Sequence, residues 1–187
     1  LTRLESASLQ GQLSAAQQTC LRDALPDGPR QRRDRLSRIL LLNARAAGDT
    51  ATWWALVEQH LAQFPTDPEL AYLYANHLGQ KADYRGAIHW ADAALAAGNQ
   101  WEGDRQLQRV NSLLRLRAIS ATRIWEAQAN MFAKEPSDAG MRTLGTVRAS
   151  ALVLTREWLD FTRASGLDEP QALRLCASAA GRHSTCN

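Results

Sequence analysis

The sequence predicts an all-α fold, an α-solenoid of helical hairpins capped by a long antiparallel helical hairpin. Three observations predict it. Strand signals are nearly absent: valine, isoleucine and threonine never gather into alternating runs, while alanine, leucine, arginine and glutamine dominate. Breakers are few and well spaced, at 26–29, 48–49, 65–68, 81–84, 98–103, 136–138 and 166–170. The chain also resembles itself at an offset of 34 residues.

These breaks predict eight helices, at about 2–24, 30–47, 50–63, 68–81, 84–97, 104–134, 138–164 and 169–180. The first carries Leu4, Leu9, Leu13, Ala16, Cys20 and Ala24 as one apolar stripe, which makes Cys20 a buried thiol. In the second, Leu36, Ile39, Leu40, Leu41 and Leu42 spread apolar surface around most of the circumference. Such a helix needs neighbours on more than one side. Asp67 before Pro68 reads as an N-cap before a first-turn proline, and Asp168 with Pro170 is a similar start.

Residues 104–134 read as one helix, because the Arg115–Ala118 stretch holds no breaker. Leu107, Val110, Leu114, Ala118, Ala121, Trp125 and Phe132 form its stripe. Met141, Leu144, Val147, Ala151, Leu154, Trp158 and Phe161 form another on the next helix. Joined by a short turn, the two predict a hairpin roughly 40 Å long at about 1.5 Å per residue. The expected organisation is one all-helical domain over 1–187, with a helix and loop at 1–33 and repeats at 34–100. The hairpin, a last helix and a tail take 101–187.

Composition narrows the function classes. No run approaches the ~18 apolar residues of a membrane span. The net charge of +3 permits an acidic partner without requiring nucleic acid. Arginine supplies nearly all the basic charge, and alanine is abundant, a bias that suggests a GC-rich bacterial genome. The chain starts at Leu1 rather than methionine, which is compatible with a signal peptide or lipid anchor upstream.

At the 34-residue offset, Leu36 aligns with Leu70, Asp49 with Asp83, Leu61 with Leu95 and Ala62 with Ala96. The breaks at Gly48-Asp49 and Ala82-Asp83 fall in the same frame. The stretch Pro68 to Ala75, then Asp83 to Ile88, then Ala93-Ala94-Leu95, resembles the tetratricopeptide repeat family. In that family a small residue on each helix lets the pair pack closely, and Ala75 and Ala87 fill those places. The first unit departs by placing Leu41 and Trp53 there.

The resemblance implies a protein-protein interaction scaffold whose groove is lined by the first helix of each repeat. The matching positions are Arg35, Arg38, Arg45, Glu69, Tyr72, Asn76 and Gln80. Arginine forks suit carboxylates and tyrosine adds area at low entropy cost, so the partner is another protein or an acidic peptide. The bland alternative is a solvated helix face. Leu42 stands where the family's carboxylate clamp has asparagine, so that activity is not expected.

Other chemistry is sparse. Arg30, Arg32, Arg33, Arg35 and Arg38 could contact phosphates, but Asp34 interrupts them and no aromatic is interleaved. The six tryptophans fall mostly on apolar stripes; Trp101, in a turn, is the one expected to be an exposed anchor. His60, His77 and His89 are scattered. No metalloprotease spacing, phosphate loop or nucleophile elbow occurs, so no enzyme, cofactor or small-molecule substrate is expected. A Cys176–Cys186 disulfide would fold the tail onto the last helix and imply an oxidising compartment. The competing zinc site, with His183, lacks a fourth ligand. The expected setting is a bacterial envelope machine for secretion, pilus assembly or motility, in the periplasm or anchored to the outer membrane. A cytoplasmic regulator with reduced thiols is the alternative.

Overall fold

A computed structural model describes residues 2–98, 101, 103–167, 170–181 and 186. Every regular element among them is a helix. The helices are α1 (Thr2–Leu9), α2 (Ala15–Asp23), α3 (Arg30–Ala46), α4 (Thr50–Gln63), α5 (Pro68–Gln80), α6 (Tyr84–Ala96), α7 (Gly103–Lys134), α8 (Asp138–Ala164) and α9 (Pro170–Ala180). The chain divides into two compact units, Leu1–Leu70 and Ala71–Asn187.

The predicted helix over 2–24 is two helices. Gly11 adopts φ +67°, and a Cβ there would lie 2.7 Å from the Ala47 nitrogen. Only glycine allows both that backbone and that approach. Ser14 then starts α2 with a capping box. Its hydroxyl accepts from the Gln17 N–H, and the Gln17 side chain accepts from the Ser14 N–H. The break turns Cys20 outward, so the expected buried thiol is exposed.

In the first unit α1, α2 and α4 all pack against α3. Leu36, Ile39, Leu40, Leu41 and Ala44 are buried among them. The buried Asn43 side chain accepts at Oδ1 from the Leu13 N–H at 3.0 Å, which ties the α1–α2 connection to α3. Leu42 departs from expectation and is 39% exposed.

In the second unit α5 and α6 meet through Tyr74 and Trp90, whose rings pack edge to face with centroids 5.8 Å apart. Ala75 and Ala87 are fully buried. Helix α7 packs on α6, and α7, α8 and α9 pack on one another. Arg117 of α7 reaches Asp92 of α6 at 2.7 Å and Glu157 of α8 at 2.9 Å. The long helix and its hairpin partner are as predicted, but their stripes are buried only in the middle. Leu114, Ala118, Ala121, Ala151 and Trp158 are covered, while Leu107 and Met141 near the ends are exposed. Thr155 and Thr162 fill out the core because their hydroxyls donate to carbonyls of their own helix.

Trp101, expected to be an exposed anchor, is 7% exposed. Its backbone N–H donates to the Gly98 carbonyl at 3.1 Å, and its ring folds over Gly98, where a Cβ would meet it at 2.9 Å. It packs edge-on to Tyr72, with the Arg109 guanidinium above it.

Local geometry repeats in the 34-residue frame. Gly48 (φ +72°) and Ala82 (φ +62°) are both left-handed. Gly48 N–H donates to Arg45 and Asp49 N–H to Ala44; one frame later, Ala82 donates to Gly79 and Asp83 to Leu78. Asp49 caps the Thr52 N–H and Asp83 caps that of Gly86. Alanine in this region is strained by roughly 1–2 kcal/mol. Ala82→Gly should therefore raise the unfolding free energy by about 1 kcal/mol in urea denaturation, after its greater unfolded freedom is subtracted. Gly48→Ala should lower it by about as much.

Candidate partner-docking face

The exposed side of α3 is set by helical spacing. Arg35, Arg38, Leu42 and Arg45 follow one another at three- and four-residue steps, and all are exposed. Between Arg35 and Arg45 all the other residues are buried, so this stretch of α3 turns a single stripe outward.

Arg35 donates to both carboxylate oxygens of Glu5 on α1, from Nε to Oε1 and from Nη2 to Oε2, the latter at 3.0 Å. The pair holds the Glu5 carboxyl below its ordinary range and the guanidinium above its own, chiefly through the hydrogen bonds. Arg38 donates from Nε to Asp34 at 3.1 Å and from Nη2 to Asp67 at 2.6 Å. Burial works to lower its pKa, and the two carboxylates more than reverse that. The Arg45 guanidinium lies over the Trp53 ring, 6.0 Å from its centroid.

Two hollows flank the stripe. An open cleft of about 720 Å³ lies between α1 and α3, lined by Glu5, Leu9, Arg35, Arg38, Ile39 and Leu42. A smaller one of about 170 Å³ is lined by Arg38, Leu41, Leu42, Arg45, Trp53 and Leu70. Both combine apolar side chains with arginines, and the larger one also carries Glu5 and Asp34. Leu9 is 64% exposed at the edge of the first.

Asp67 holds the face from below. Its Oδ1 accepts from the Glu69 and Leu70 N–H groups, capping α5 as the sequence implied, and its Oδ2 takes Arg38. His60, fully buried, sets Nε2 at 3.5 Å from Asp67 and 3.8 Å from Asp34, and Nδ1 at 2.9 Å from the Ser37 hydroxyl. Burial alone would raise the Asp67 pKa; His60, the Leu70 N–H and Arg38 overcome it and hold the carboxyl at about 2. Sequence reasoning missed this network. Its one local signal was the i,i+4 pair Asp34/Arg38. Serine, histidine and aspartate are the residue types of a hydrolase triad, but here Ser37 is 5% exposed and closed over.

The seven predicted groove residues are divided between the units. Arg35, Arg38, Arg45 and Glu69 belong to the first, where α3 brings the three arginines onto one face. Tyr72, Asn76 and Gln80 belong to the second. Tyr72 is half-buried beneath Arg109, with its hydroxyl 3.5 Å from Ser112. Asn76 donates to the Tyr72 carbonyl at 2.8 Å, and Gln80 is exposed.

The basic cluster is not an open row. Arg35 and Arg38 are ion-paired, Arg30 lies over Phe64, and Arg33 is half-buried. Cys176 and Cys186 lie at disulfide distance, with Cα atoms 5.9 Å apart. His183, Asp168 and Glu169 fall outside the described residues. Among the described residues, no group of three metal-ligating side chains occurs and no helix is long and apolar enough to cross a membrane. No family model, curated protein or solved structure matches the chain.

Proposed function

We propose that this protein is a docking scaffold that holds another polypeptide on the exposed face of α3. The observation that carries this reading is the Arg35–Arg38–Leu42–Arg45 stripe between two hollows that combine apolar side chains with arginines. Apolar side chains bordered by polar and charged ones are the usual anatomy of a protein-binding surface. The tetratricopeptide reading is supported by the turns that recur in the 34-residue frame and by the buried small pair Ala75 and Ala87. The apposed Cys176 and Cys186 favour an oxidising compartment, such as the bacterial periplasm, over a cytoplasmic setting. Assembly of an envelope machine is the role such a scaffold would fill.

The test uses residues outside the internal ion pairs. Tagged wild type and Leu42→Glu plus Arg45→Glu are recovered from the native host. The double variant should keep its helical circular dichroism and lose at least tenfold of whatever partner the wild type retains. Equal recovery would remove the α3 face from the proposal.

A further inference from the structure

We infer that the polypeptide held by α3 is an acidic amphipathic helix, in which a carboxylate stands one turn from a large aliphatic side chain. The inference rests on the docking reading above and specifies the partner that reading leaves open.

The protein already sets one carboxylate and one leucine, a turn apart, against α3. Helix α1 packs on α3 and carries Glu5 and Leu9 one turn apart. Glu5 meets the Arg35 fork with both oxygens, and Leu9 joins Ile39 and Leu42 in the wall of the larger cleft. One turn along α1 therefore spans one to two turns along α3, with the acid on an arginine and the leucine at the edge of the cleft that Ile39 and Leu42 line.

The far half of the stripe repeats the receiving half of that arrangement. Leu42 is one turn before Arg45, and the hollow of about 170 Å³ opens between Arg38 and Arg45. A cavity of roughly 150 Å³ is enough to take a benzene ring, so this one has room for a single leucine, isoleucine or methionine head. Charge selects the sign of the neighbour. Glu5 is engaged by Arg35, and Asp34 and Asp67 by Arg38. Arg45 is in no ion pair among the described residues and rests on Trp53. A carboxylate one turn from the seated aliphatic side chain meets Arg45 as Glu5 meets Arg35. A basic helix would bring like charge to Arg45. A phosphate backbone could satisfy Arg45 but would leave the apolar hollow empty.

Two measurements test the inference and separate it from the docking reading. The first probe is a synthetic alanine-based helix with glutamate and leucine four residues apart, followed by fluorescence anisotropy. It should bind wild type at least tenfold more tightly than the same helix with lysine for glutamate, a ratio of about 1.4 kcal/mol. Arg45→Glu should reverse that order. Equal binding of the two helices, or an order unchanged by Arg45→Glu, overturns the inference. The second places a benzophenone cross-linker at position 42 in the native host and maps the segment it captures. An acidic amphipathic helix of another protein supports the inference. A segment of different chemistry, or residues 2–9 of a second copy, overturns it while leaving the face a docking site. No protein captured at all overturns both.

Discussion

Asp67→Ala should destabilise the protein by about 3 kcal/mol at neutral pH, the largest loss expected from any single charged residue of the first unit. Three contributions add. The α5 cap is lost, which costs roughly 1 kcal/mol. Arg38 loses its 2.6 Å partner, and His60 loses the nearer of its two carboxylates. Leaving buried polar groups unpaired costs roughly 3–5 kcal/mol where the site is dry. The Arg38 side chain is 48% exposed, so water relieves part of that penalty. Asp67→Asn keeps an acceptor for the α5 N–H groups and should lose about 2 kcal/mol.

The pH dependence gives a sharper test of the same network. The Asp67 carboxyl is held at about 2 in the folded chain, against an ordinary value of 3.8. A depressed folded pKa means that the stabilisation is complete above the unfolded value and is lost as pH falls through the folded one. The gap between wild type and Asp67→Asn, measured by urea denaturation, should hold steady from neutral pH to about 4. It should close between about 4 and 2, by about 2 kcal/mol. A gap that does not change with pH would mean that the charge is not what Asp67 contributes.

Much of the fold was legible because helix breaks depend on local chemistry. Gly48-Asp49, Asp67-Pro68 and Ser137 each stop or cap a helix with atoms within a few residues, and the structure starts and ends helices there. The α1–α2 break was equally local, and Gly11 with Ser14 and Gln17 announced it. The stripe from Leu4 to Ala24 masked it, because its 3.6-residue period runs on across the turn. Trp101 and Cys20 were misplaced for a related reason. Whether a turn residue is covered depends on where the chain folds back, and that is set by Gly98 and Gly11 rather than by hydropathy. The candidate face was half legible. The repeat resemblance put Arg35, Arg38 and Arg45 on one side of a helix, and i,i+4 spacing offered Asp34 to Arg38, but nothing local revealed that Glu5 and Asp67 engage the first two. Leu42 counted as core in the sequence, and it is the apolar centre of the exposed stripe.

Reduction of the Cys176–Cys186 pair should lower the stability of the second unit by about 3 kcal/mol. The two residues are 10 apart, and closing a loop of that size removes about that much unfolded-chain entropy. Neither cysteine is a surface staple. Both are buried in one cluster with Leu114, Ala118, Trp158, Leu159 and Ala172. Arg163 donates to the Cys186 carbonyl at 2.8 Å, and Arg148 donates to the Ala179 and Ala180 carbonyls at the end of α9. Once reduced, those contacts must hold the segment without the covalent bond. Urea denaturation with and without reductant should show the shift in wild type and none in Cys176→Ala plus Cys186→Ala. Thiol titration of the denatured, unreduced chain should find one free thiol, the exposed Cys20, and three after reduction. Three thiols before reduction would favour the cytoplasmic alternative. One thiol with coincident denaturation curves would show that packing around Trp158 holds the tail with or without the bond.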